Sequence, residues 1–180
     1  MSQYELAQLN IAMMKEPLDS PRMADFVANL ERINALAESS PGFVWRLETE
    51  EGDATALRPL GDSTLVNMSV WKDVASLNHY VYKTAHVEIM RRRKEWFDRM
   101  REASIVLWWV PQGHRPSVVQ AIERLQLLRG PRAERRRVHV PACVPAARLR
   151  GAVAVLWRRV PRDLIPYLRP MVPPVGQALA

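Results

Sequence analysis

Residues 69–90 read SVWKDVASLNHYVYKTAHVEIM, and their reading decides the fold. The stretch opens on the end of an apolar strand, Leu65–Trp71 (LVNMSVW). Asp73 then stands where a helix N-cap belongs. From there the apolar period changes from two to between three and four. Val74, Leu77, Val81, Val87, Phe97 and Met100 predict one long helix, running from Asp73 to about Glu102 with these residues on its core side.

On the N-terminal side, residues 4–12 (YELAQLNIA) read as a first strand. Ser20-Pro21 supplies an N-cap followed by proline at the first helical position. Met23, Phe26, Val27, Leu30, Ile33 and Leu36 continue that helix, and Pro41-Gly42 ends it. Phe43, Trp45 and Leu47 alternate with Val44, Arg46 and Glu48, the pattern of a half-buried strand. An acidic loop (TEEGDAT) follows.

On the C-terminal side, Ile105–Val110 (IVLWWV) is apolar on both faces, so cover is expected on both. Ser117 and Gln120 form a capping box for a last helix through Leu128. The order is an α+β, ferredoxin-like βαββαβ sandwich plus a C-terminal helix. Helices cover one sheet face; the other calls for a partner, and a homodimer is expected.

Charge divides the chain after Leu128. Residues 1–128 hold 15 Lys+Arg and 17 Asp+Glu; residues 129–180 hold 11 Arg, no Lys and 2 acids. The net charge of +7 is thus a slightly acidic domain plus a basic tail, which removes the main support for specific nucleic-acid binding. In the run MRRRKEWFDRMR (90–101), acids interleave with bases, as on a solvated helix face. No run of 18 apolar residues and no secretory signal is present, so no membrane partner and a cytoplasmic location are expected. One cysteine, Cys143, excludes an internal disulfide and a cysteine-rich metal site. No phosphate-binding glycine loop and no metal-binding motif occurs.

Chemistry-bearing residues concentrate in the opening stretch. His79, Tyr82 and His86 recur at spacings of three and four, so a continuous helix puts them on one face, with Met90 extending the stripe. An imidazole there can move a proton near pH 7 or bind a metal, and the same three residues also suit an ordinary core or interface. Trp45, Trp71, Trp108 and Trp109 lie on or beside strands, where they stack on a flat ligand or anchor the core. Asn10, on an apolar strand, can orient a carbonyl or satisfy backbone at a strand edge. The candidate pocket is therefore Asn10, Trp45, Trp71, His79, Tyr82 and His86, with no catalytic residue assigned. His114-Arg115-Pro116 reads as a structural turn leading into the last helix.

YELAQLNIA, NHYVYKTAH and WWVPQGHRPSVVQAIERLQLL (108–128) together resemble an uncharacterised bacterial family of the dimeric α/β-barrel superfamily. That superfamily includes antibiotic-biosynthesis-type and haem-degrading monooxygenases. The resemblance spans residues 3–128. It implies a dimeric α/β barrel binding an unidentified small molecule, with cofactor-independent monooxygenation as the reaction class. The haem-degrading members imply an alternative. His86 would ligate haem and Asn10 would match a strand asparagine, while Ser76 stands where those proteins carry a helix tryptophan. A non-catalytic dimeric module is the third reading. No cofactor is favoured, haem being the alternative.

Residues 129–180 carry 8 of the 14 prolines and lack a sustained apolar period, as in a disordered basic arm. Chains of the family it resembles end on a strand like AEAFTFRHAFP. Ala133-Glu134 keeps the first two letters. Arg137–Pro145 (RVHVPACVP) can be written in codons whose next frame reads AFTFRHAFP. We hypothesise a frameshift between Glu134 and Arg137. Resequencing the gene is expected to return that strand in the shifted frame; nucleotides over Arg137–Pro145 that do not encode it make the tail a genuine basic extension.

Overall fold

The computed structural model describes residues 3–130, and the tail discussed above lies outside them. In chain order the elements are β1 (Tyr4–Met13), α1 (Ala24–Ala28), α2 (Leu30–Glu38), β2 (Phe43–Arg46), β3 (Thr64–Trp71), α3 (Val74–Lys83), α4 (His86–Trp96), β4 (Ile105–Pro111) and α5 (Val118–Arg129). The four strands form one antiparallel sheet in the order β2-β3-β1-β4. This is the α+β, ferredoxin-like arrangement expected from the sequence. Among the described residues no helix is long and apolar enough to cross a membrane.

Strand parity sorts the sheet into two faces. Ala7, Leu9 and Ile11 of β1 share one with Val66, Met68 and Val70 of β3 and with Val106, Trp108 and Val110 of β4. All are buried, in a core completed by Ala121 and Leu125 of α5. Leu47, Leu57 and Leu60, from the segment after β2, pack against it. The face for which a partner was expected is thus covered by its own chain. α5 forms as expected: Ser117 Oγ accepts from the Gln120 amide, and the Gln120 side chain accepts from the Ser117 amide. Glu5, at the edge of this face, accepts from the Gly113 amide at 3.2 Å and lies 3.5 Å from Arg115, so the 111–116 turn is held structurally.

Both crossovers on the opposite face differ from the continuous helices expected. The first begins at Ala24 with no side-chain cap, and the Ser20 hydroxyl has no partner among the described residues. It then breaks at Asn29. The Asn29 side-chain amide donates to the Asp25 carbonyl at 2.7 Å, the acceptor its own backbone N–H would use in an unbroken helix. That N–H goes to Phe26 instead. The second crossover is capped by Asp73 as expected, with the Ser76 amide donating at 2.8 Å. It breaks at Thr84, whose hydroxyl donates to the Tyr80 carbonyl at 2.6 Å while its backbone turns extended. The helix resumes at His86 and ends at Trp96, because the Phe97 and Asp98 region returns to the sheet: Asp98 N–H donates to the Met13 carbonyl.

The alternation expected in β2 is also interrupted. Phe43 pairs with Trp71, yet Trp45 pairs with Val70, so one extra residue lies between them. This bulge sends Phe43 and Trp45 to opposite faces.

If α5 is an integral layer, removing its central side chain costs as much as any core deletion. Leu125 is 1% exposed. Leu125→Ala is expected to destabilise the fold by about 2–5 kcal/mol in urea unfolding. A loss below about 0.5 kcal/mol, the range of an ordinary surface change, would show α5 to be peripheral.

Candidate functional site

The helix-covered face of the sheet is built in rows. Leu6, Trp71 and Trp109 form one; Gln8, Ser69 and Leu107 the next; then Asn10, Asn67 and Ile105; then Ala12 and Leu65. The first row packs under α2 and α3 in a cluster with Ala37, Leu77 and Tyr80. Leu65 packs under α1 and α4 with Met14, Met23 and Trp96. Between these two apolar clusters lies a polar band of Gln8, Ser69, Asn10 and Asn67. The helices do not close over it fully: Gln8 and Asn10 are half-buried, and Asn67 is exposed at mid-sheet.

Part of the band is committed internally. The Trp71 indole N–H donates to Ser69 Oγ at 2.9 Å, and the Ser69 hydroxyl donates to Gln8 Oε1 at 3.0 Å. Trp71 is 1% exposed, so its N–H would otherwise be stranded in apolar surroundings. Asn10 and Asn67 face each other in the register, and their side chains form no hydrogen bond with any described residue. Two adjacent carboxamides, each with one acceptor and two donors, are thus available to a ligand. All four side chains of the band are neutral.

An aromatic column rises from the same face. Trp71 stacks on Tyr80 with centroids 5.1 Å apart, and Tyr80 meets His86 at 4.6 Å. The Tyr80 hydroxyl donates to the Ile33 carbonyl at 3.3 Å, and burial pushes its pKa well above the usual phenol value. His86, half-buried at the start of α4, is driven below the usual histidine value by desolvation. Its Nδ1 lies 3.4 Å from the Val81 carbonyl, which offsets part of that shift. A neutral imidazole with one nitrogen held by backbone can accept a proton at the other.

Of the residues singled out in the sequence, Asn10 and Trp71 are in or beside the band, and His86 joins them through Tyr80. The break at Thr84 prevents a single stripe. His79 is exposed on α3, and Tyr82 is half-buried there. Trp45 is turned by the bulge to the opposite face, where it packs on the α5 core. Sequence reasoning missed Tyr80, Gln8, Ser69 and Asn67. Tyr80 had a signal, lying three residues after Leu77. The other three become neighbours only once the strand register is known. No group of three or more His, Cys, Asp or Glu side chains suited to a metal ion occurs among the described residues.

A family model described as a domain of unknown function, DUF3291, matches residues 5–136. The chain belongs to the DUF3291 family. No curated protein matches it. Similar solved structures include SnoaB, a cofactor-independent oxygenase from Streptomyces nogalater, with 15% identity, TM-score 0.39, and coverage of 63% of this chain and 96% of that one. A Dabb family protein with a ferredoxin-like fold from Mesorhizobium loti has 16% identity, TM-score 0.39, and coverage of 61% and 99%. A protein of unknown function from Nitrosomonas europaea has 15% identity, TM-score 0.39, and coverage of 64% and 95%. At such identities no residue role passes from them to this DUF3291 chain.

Burial of His86 has a consequence for pH. Its folded pKa lies below the ordinary 6.5. As pH falls through 6.5 the unfolded chain takes up a proton that the folded chain refuses, so stability drops toward the lower folded value. Comparing Tm at about pH 7.5 and about pH 5.5, His86→Gln is expected to show a smaller fall than the parent chain. An identical fall in both would remove His86 from the buried, neutral class.

Proposed function

We propose that this DUF3291 chain is a small-molecule-binding protein that forms a homodimer through surfaces other than the sheet face that α5 covers. Its ligand is held over the polar band, and cofactor-independent oxygenation is the chemistry the site suits. The observation that carries the reading is the opposed Asn10–Asn67 pair, whose side chains are hydrogen-bonded to no described residue and are flanked by apolar clusters. Amide donors stabilise an oxygen that gains negative charge as a neighbouring C–H is deprotonated. The proton acceptor in this reading is His86, which is linked to the band through Tyr80 and Trp71. The resulting carbanion needs only dioxygen to become a ketone: a CH2 group and O2 give C=O and water.

A flat anthrone meets these requirements, and 1,8-dihydroxyanthrone is the probe. It is expected to quench tryptophan emission saturably, with Asn10→Ala/Asn67→Ala weakening binding roughly tenfold or more, as expected from the loss of one or two hydrogen bonds. Conversion to the anthraquinone above the buffer rate supports the oxygenase reading. Binding without conversion leaves a non-catalytic binding module, and an unchanged affinity in the double variant removes the carboxamide site. Light scattering tests the pairing and should give twice the 20.7 kDa chain mass.

A second reading has one observation in its favour. With Nδ1 held near the Val81 carbonyl, the other nitrogen of His86 is the one left to ligate haem iron. A Soret band on haem addition, absent in His86→Ala, would select that reading over the first.

A further inference from the structure

The two breaks in the helix layer coincide with the division of its core. α2 and α3 pack on the cluster around Trp71, whereas α1 and α4 pack on the cluster around Trp96. Each pair carries its own tie. Arg92 of α4 bonds Asp25 of α1 at 2.5 Å, and Phe26 meets the Trp96 and Phe97 rings at 5.7 and 5.0 Å. Tyr80 of α3 bonds the Ile33 carbonyl of α2. At both breaks a side chain takes the carbonyl four residues back, so neither crossover has an unbroken backbone ladder across the seam.

The anchors to the sheet lie away from the seam. Only two residues separate the end of β3 from the start of α3, under the Asp73 cap. The far end of α4 is fixed to the end of β1: the Lys15 amide donates to the Trp96 carbonyl at 3.0 Å, and the Asp98 amide to the Met13 carbonyl at 2.9 Å. The free ends of α3 and α4 meet at Thr84–Ala85. His86 bridges that junction through its contacts with Tyr80 and Val81.

We propose that the helix layer is two plates, α1 with α4 and α2 with α3, which part along this seam and widen the opening beside exposed Asn67 so that the ligand reaches half-buried Asn10. The entry route rests on the small-molecule reading above; the two-plate construction does not. His86 is the latch between the plates, and the Arg92–Asp25 pair makes α1 follow α4.

Hydrogen exchange read by mass spectrometry on the full chain tests this without a ligand. Arg92→Ala is expected to speed exchange in α1 and α4 together, by roughly fivefold or less as befits an exposed ion pair. α2 and α3 should be unchanged, and Asp25→Asn should reproduce the pattern. Acceleration confined to α4, or spread evenly over all four helices, overturns the two-plate construction. Where 1,8-dihydroxyanthrone quenches tryptophan emission, it is expected to slow exchange around Leu30 and Ala85–Val87; quenching with no slowing there overturns the entry route. Absence of quenching is instead a failure of the ligand reading, and the Arg92→Ala pattern still decides the plates.

Discussion

The structure depends on the antiparallel pairing of β1 with strands on both sides. Seven residues of β1, Tyr4 to Asn10, pair with β4, and eight, Leu6 to Met13, pair with β3. With both registers set, parity decides every inward-facing side chain of the sheet. Slipping either register by one residue would carry Ala7, Leu9 and Ile11 away from α5 and bring Gln8 and Asn10 into the apolar core. Burying unpaired carboxamides there is costly enough to disfavour that alternative strongly. The polar band and the apolar core are thus two readings of the same alternation.

The helix layer shows the opposite rule: a local hydrogen bond overrides a periodic pattern. Leu30, Ile33 and Leu36 continue the spacing of Met23 and Phe26, yet Asn29 diverts the Asp25 carbonyl and the helix stops. Thr84 does the same to the Tyr80 carbonyl. Short polar side chains that compete for backbone acceptors shift the helix phase where they act. That shift separates His86 from His79 and brings it against Tyr80.

These particulars show what could be read in advance. The strands, the Asp73 cap and the Ser117–Gln120 capping box were legible because each rests on residues close together in sequence. Asn10, Trp71 and His86 were legible as residue types able to do chemistry. The Trp45 assignment failed because a bulge depends on the partner strand and leaves little trace in the bulged one. Asn67 lies inside LVNMSVW, where it looks like an ordinary exposed strand position. Its opposition to Asn10 exists only after strands more than fifty residues apart have paired. The cover given to the second face by α5 was hidden for the same reason: nothing in VVQAIERLQLL names the surface it will seal.

The central place of β1 also bears on how the chain reaches this structure. The strand on which both pairings depend is synthesised before either of its partners. β3 must be made before one side of it is paired, and Ile105–Pro111 before the other is. Until then an apolar segment waits with both backbone edges open. Long sequence separation between partners slows folding and prolongs exposure to aggregation. The partners of β1 thus lie far along the chain, and α5 can cover the core only after the sheet beneath it is complete.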